Sequence, residues 1–225
     1  DLTKISYHAL GHLRDSYALL HSGGALGRGC GPLVIAPGLT DMQSLRGKRI
    51  AVPGKLTTAN LLLQLHGSGY EDLLILPFDQ IMSALQSGAA DAGVIIHESR
   101  FTYQQAGFHE VLDLGAWWEA DSGLPIPLGG ILARRDLGET TIRMADDAIR
   151  SSLEYARLHP QEPRSYIKEH AQELENEIVD AHINLYVNDF SLNLGDEGVM
   201  AVETLLGRAE SRGLIPKSNK PLFLI

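Results

Sequence analysis

Residues 45–97 read LRGKRIAVPGKLTTANLLLQLHGSGYEDLLILPFDQIMSALQSGAADAGVIIH. Three short apolar runs, RIAV, LLIL and AGVII, alternate with two longer stretches, TTANLLLQLHGSG and DQIMSALQSGA. The short runs have strand length, and the longer ones have helical spacing and end at glycine. The pattern is β-α-β-α-β, which predicts a parallel sheet with helices on its faces.

Outward from this unit the texture changes. Toward the amino end, LTKIS reads as extended, YHALGHL as helical and YALLHS as a strand. SGGALGRGCGP (22–32) follows as a glycine-rich turn, then LVIAP as a strand. Toward the carboxyl end, TYQQAG and HEVLDLGAWWEAD read as a helix-to-strand passage and a surface loop, and LPIPLGGILARRDL as a proline-led strand. From Thr140 onward helices dominate: one to Pro160, then EPRSYIKEHAQEL, NEIVDAHINLYVNDFS and DEGVMAVETLLGRAESRG. The tail PKSNKPLFLI is expected to lie extended. The middle unit therefore looks inserted between strand-like boundaries. The expected architecture is α/β and two-lobed, with a central cleft and two crossing hinge strands. Residues 1–37 plus 129–225 would form lobe one, and 38–128 lobe two. Ligands in such folds sit in the cleft, and closure is a hinge motion.

Composition limits the function. The formal charge is −9, from 19 basic and 28 acidic residues, with no basic stripe. Neither nucleic acid nor an anionic membrane surface is an expected partner. No apolar stretch approaches the roughly 20 residues that span a bilayer. Cys30 is the one cysteine, which rules out an internal disulfide framework and a cysteine-based zinc site.

Three features carry chemistry. After Pro53-Gly54, Thr57-Thr58 begins a helix, whose first N–H groups and dipole favour an anion. It is not a Walker A loop, because Leu56 follows Lys55 where Ser or Thr is required. His97 ends an apolar strand on the same side, and neutral imidazole is the natural proton acceptor at cellular pH. The GRGCG run leads into Pro32 and a strand, not a helix, so it is read as a turn allowing close backbone approach. Other features have plainer readings. HALGH (8–12) spaces two histidines for a metal but lacks further ligands, so surface histidines and no metal site are expected. Trp117-Trp118 is read as a loop plug or lobe packing, and Glu98 and Arg100 as a surface pair.

Five separated segments, taken in order, resemble the 1,4-dihydroxy-6-naphthoate synthase family of the futalosine route to menaquinone. They are TKIS (3–6), SGGALGRGCGPLV (22–34), RIAVPGKLTTA (49–59), GVIIHESRFTY (93–103) and LGAWWEADSGLPIPLGGILARRDLG (114–138). YVNDFSLNLGDEG (186–198) extends the likeness to nearly the whole chain. The resemblance implies a type II periplasmic-binding-protein-like fold used as a cytoplasmic enzyme. It implies a carboxylate substrate, cyclic dehypoxanthine futalosine, with no metal, no organic cofactor and an expected homodimer. The histidine of HESRFTY, His97, would be the base, and Lys4, Ile5, Ser6, Thr57 and Thr58 would contact substrate. His97 would take a proton from carbon next to a carbonyl, and elimination of the sugar remnant would leave an aromatic ring. The family's opening strand and Ser-Pro-Cys-Pro-Asn-Asp type loop do not precede Asp1, so lobe one is expected to lack its N-terminal strand. The competing readings are a non-catalytic solute-binding protein of the same fold and the sibling chorismate dehydratase.

Overall fold

A computed structural model of the chain describes residues 1–170 and 176–224. The chain opens with β1 (Leu2–Ser6), α1 (Tyr7–Leu13), β2 (Tyr17–Leu19) and β3 (Ala25–Gly27). Then come β4 (Leu33–Ala36), β5 (Ile50–Val52), α2 (Thr58–His66), β6 (Leu73–Ile75), α3 (Ile81–Gln86) and β7 (Ala92–Ile95). The short α4 (Ser99–Thr102), β8 (His109–Asp113), α5 (Leu114–Ser122) and β9 (Ile126–Arg134) follow. Five helices complete the described chain: α6 (Gly138–Leu158), α7 (Arg164–His170), α8 (Asn176–Tyr186), α9 (Asp189–Leu192) and α10 (Gly195–Ser211).

The strands form two sheets. In the first, β9 is the spine, antiparallel to β1, β2 and β3. In the second the order is β6-β5-β7-β4-β8. Here β6, β5 and β7 run parallel, as the β-α-β-α-β reading requires, and β4 and β8 run antiparallel beside them. The chain leaves the first sheet through residues 28–32 and returns through 123–125. The strand β4 precedes residue 38 yet belongs by its hydrogen bonds to the second sheet, where all four of its apolar residues are buried.

Burial explains the helices. On α10, Ala201, Val202, Leu205, Leu206 and Ala209 form one apolar face at helical spacing. In α2, Leu61, Leu62, Leu63 and Leu65 are all buried, so this helix is enclosed rather than laid on a surface. Each fully buried leucine contributes about 2 kcal/mol.

Several local readings need correction. LGAWWEADS is the helix α5, capped by Asp113, not a loop. Trp118 is wholly buried in it and donates from its indole N–H to Pro125 O at 3.0 Å. The glycine-rich turn contains β3. His8 is buried rather than a surface residue, and its Nδ1 lies 3.2 Å from the Thr57 carbonyl. The tail beyond α10 has no regular structure, and it is tied to the first sheet where Leu222 O accepts from Leu19 N at 2.8 Å. Residues 171–174, the last four of the expected EPRSYIKEHAQEL helix, Glu175 after them and Ile225 of the tail lie outside the described residues.

Candidate active site

A cavity of about 430 Å³ opens between the two sheets. All six residues singled out in the sequence line it: Lys4, Ile5, Ser6, Thr57, Thr58 and His97. They come from three places. The end of β1 supplies Lys4, Ile5 and Ser6, the start of α2 supplies Thr57 and Thr58, and the end of β7 supplies His97. Ligands in α/β folds collect at such strand ends.

His97 follows the buried run Ala92–Ile95 and turns the chain into α4. Among the described residues it is the one non-glycine with left-handed backbone, at φ 56°. That conformation costs an ordinary side chain of order 1 kcal/mol and is concentrated at functional sites. The imidazole is flanked by rings, Phe78 at 5.0 Å, His182 at 5.6 Å and Tyr186 at 6.3 Å between centroids. Burial holds its pKa below the usual histidine value; His182 and Lys4 push the same way, and Glu98 opposes them. His97 is therefore neutral at pH 7, the state a base needs.

The hydroxyl groups differ in availability. Thr57 Oγ1 caps α2, accepting from Asn60 N at 3.3 Å and donating to Gly54 O at 2.8 Å. Thr58 Oγ1 donates to Leu128 O at 2.6 Å and accepts from Tyr7 N at 3.1 Å. Both hydroxyl protons are thus committed to the protein. What α2 offers the cavity is its first-turn backbone, with Ala59 on the wall. Ser6 makes no side-chain cap to α1, so its hydroxyl is free to turn to a ligand. Lys4 is exposed at the mouth of the cavity and forms no ion pair among the described residues, so its ammonium is available to an anion.

The opposite wall comes from α8, which the sequence reading did not include in the site. His182 and Tyr186, four residues apart, share one face with Ile183. Their rings pack at 4.6 Å, and burial raises the Tyr186 pKa. The signal was an HxxxY pair on an amphipathic helix, which carries no information on what the helix faces. Cys30, Pro32, Leu128 and Gly129 complete a mostly apolar floor. Among the described residues no cluster of three or more His, Cys, Asp or Glu side chains could hold a metal ion.

The motifs around the site support one another. Arg100 does not pair with Glu98. It donates to Asp113 Oδ2 at 2.7 Å and to the Gly31 carbonyl. Asp113 caps α5 through the N–H groups of Gly115 and Ala116, at 2.8 and 3.0 Å. The GCGP turn crosses the start of α5 so closely that a Cβ on Gly31 would lie 2.3 Å from Gly115 Cα. The close backbone approach expected of that turn is real, and its partner is protein.

A family described as menaquinone biosynthesis matches residues 1–211. The chain is 53% identical over 223 residues to a 1,4-dihydroxy-6-naphthoate synthase of Thermus thermophilus, covering 99% of this chain and 81% of that protein. It is 46% identical over 221 residues to the enzyme of the same name from Streptomyces coelicolor, covering 96% and 78%. Among solved structures, a protein from Archaeoglobus fulgidus superposes with a TM-score of 0.89 at 40% identity, covering 95% of this chain and 80% of that one. The alkanesulfonate-binding protein SsuA from Xanthomonas axonopodis matches with a TM-score of 0.69 over 96% of this chain and 77% of its own, at 15% identity. That last likeness is one of fold, and it identifies the two sheets and the cavity between them as the two-lobed periplasmic-binding-protein-like architecture. With whole-chain identity at this level, the chain belongs to the menaquinone biosynthesis family that includes the 1,4-dihydroxy-6-naphthoate synthases.

Proposed function

We infer that this chain is an enzyme of menaquinone biosynthesis that forms 1,4-dihydroxy-6-naphthoate, acting as a carbon-carbon lyase on cyclic dehypoxanthine futalosine. The observation that carries the mechanism is the neutral, backbone-strained imidazole of His97 facing the same cavity as Lys4 and the start of α2. The substrate carboxylate would sit against Lys4, the free first-turn N–H groups of α2 and the Ser6 hydroxyl. This orients the carbon next to the carbonyl toward His97. His97 takes its proton, the bond to the sugar remnant breaks, and the ring becomes aromatic. Aromatisation supplies driving force, so the chain's own tasks are positioning, deprotonation and exclusion of water. A positioned base contributes roughly 10²–10⁴-fold. Closure of the lobes would complete the enclosure.

The test is to incubate the purified full-length protein with cyclic dehypoxanthine futalosine and follow 1,4-dihydroxy-6-naphthoate by mass, with His97→Asn beside it. Product from the parent and a loss of roughly 10²–10⁴-fold in the variant are expected. Tight binding without turnover in the parent would instead favour a solute-binding protein. Near-normal turnover by His97→Asn would remove the base assignment.

A further inference from the structure

Removing a proton next to a carbonyl places negative charge on the carbonyl oxygen, and that charge needs a donor. His97 takes the proton, and Lys4 is engaged by the carboxylate in the reading above, on which this inference rests. The wall beside His97 is α8, whose His182 ring packs against that of His97, and the Nε2 of His182 is buried, with no hydrogen-bond partner among the described residues. A buried polar atom without a partner costs about 1–3 kcal/mol, a cost a ligand can relieve. The His182 ring lies 5.6 Å from that of His97, edge toward face at 74°. That spacing brings both rings within reach of neighbouring atoms of one substrate. Tyr186, one turn along α8, packs on His182 at 4.6 Å and restricts its orientation.

We propose that His182 is a catalytic residue of this reaction, donating a hydrogen bond from Nε2–H to the substrate carbonyl oxygen as His97 removes the neighbouring proton. The step balances without another reactant. The C–H bond breaks and its proton goes to His97. The electron pair forms a C=C bond and places charge on the oxygen, which His182 stabilises with no proton transferred. The pair then returns to re-form the carbonyl, shifting the double bond and breaking the bond to the sugar remnant. The departing group takes its proton from His97, and both rings return to their starting state. Neutral imidazole suits this donor role, since it stabilises the oxygen without raising a second positive charge beside His97. The groups facing His182 agree with a neutral ring: burial and the Lys4 ammonium lower its pKa, and Glu98 alone raises it.

The test is kcat and KM for His182→Phe and His182→Gln in the full-length protein with cyclic dehypoxanthine futalosine, with thermal unfolding followed in parallel. Loss of a donor used only in the transition state should lower kcat in His182→Phe roughly 10²–10³-fold with little change in KM. Glutamine still presents an N–H, and should recover about tenfold of that loss. A loss that appears in KM alone would overturn the donor role. So would a folded His182→Gln as inactive as His182→Phe. Undiminished turnover in His182→Phe would remove this role while leaving the reaction intact. Absence of product from the parent would remove the reaction, and this role with it.

Discussion

The guanidinium of Arg100 and the carboxylate of Asp113 meet at 2.7 Å, both more than four-fifths buried, and together tie α4 to the GCGP turn and to the start of α5. Arg100→Ala leaves the Asp113 charge and the Gly31 carbonyl without their donor. The expected cost is about 2–3 kcal/mol, read by denaturant unfolding. Lysine should not restore it, because one ammonium cannot replace a fork that reaches two acceptors. Full stability in Arg100→Lys would show that charge alone suffices.

Thr58 illustrates how a cavity residue can serve the scaffold. Valine has its shape but leaves Tyr7 N–H and Leu128 C=O unpaired, a loss of about 1–3 kcal/mol. Thr58→Ser keeps the hydroxyl and should keep most of the stability. Urea melts of the two variants separate this from a substrate-contact role, which would appear as raised KM with an unchanged midpoint.

For Lys4, replacement by methionine keeps length and removes charge. A charge-assisted contact to the substrate carboxylate is worth about 1.5–3 kcal/mol, so KM should rise roughly 10–100-fold with kcat nearly unchanged. Because Lys4 lowers the pKa of His97, the acid limb of activity should also move to higher pH in this variant. Steady-state kinetics against pH reads both effects.

Two histidines of the cavity wall also tie stability to pH. His97 and His182 have folded pKa values below the ordinary value of 6.5. Below that value the unfolded chain binds more protons than the folded one, so their contribution is complete above about pH 6.5 and is lost as pH falls through the folded values. Melting temperature should therefore drop on acidification below about pH 6.5, and the drop should be smaller in a His97→Asn, His182→Gln double variant. An identical slope in the double variant would assign the acid sensitivity to other groups.

Cys30 sits in the cavity floor with its thiol pushed up to about 12 by burial. Thiolate is the reactive form, so the native protein should resist iodoacetamide at pH 8 and react once unfolded. Mass spectrometry of the alkylated protein decides this, and rapid labelling of the folded chain would contradict it.

Much of this was readable from the residues. Periodicity gave β5, α2, β6, α3 and β7, because each apolar run had a length and a glycine stop that only one element satisfies. The strand end at His97 and the helix start at Thr57 were visible for the same reason. The α5 helix was missed because GAWWEA has no clear apolar period, and its capping Asp113 reads equally well as a loop residue. Which hydroxyls were free could not be read, since Thr58 is committed to Tyr7 and Leu128, distant in sequence. The place of α8 was hidden too: His182 and Tyr186 become site residues only when α8 folds back against His97, 85 positions earlier than His182.

The crossing of Gly31 and Gly115 constrains how this protein can evolve. A Cβ on either glycine would lie within 2.7 Å of the other's backbone. Neither position can compensate for the other, because both already have the smallest side chain there is. No stepwise route through single substitutions leaves the crossing intact, so divergence in this fold should pass around these two positions and accumulate on exposed surfaces such as the solvent face of α6.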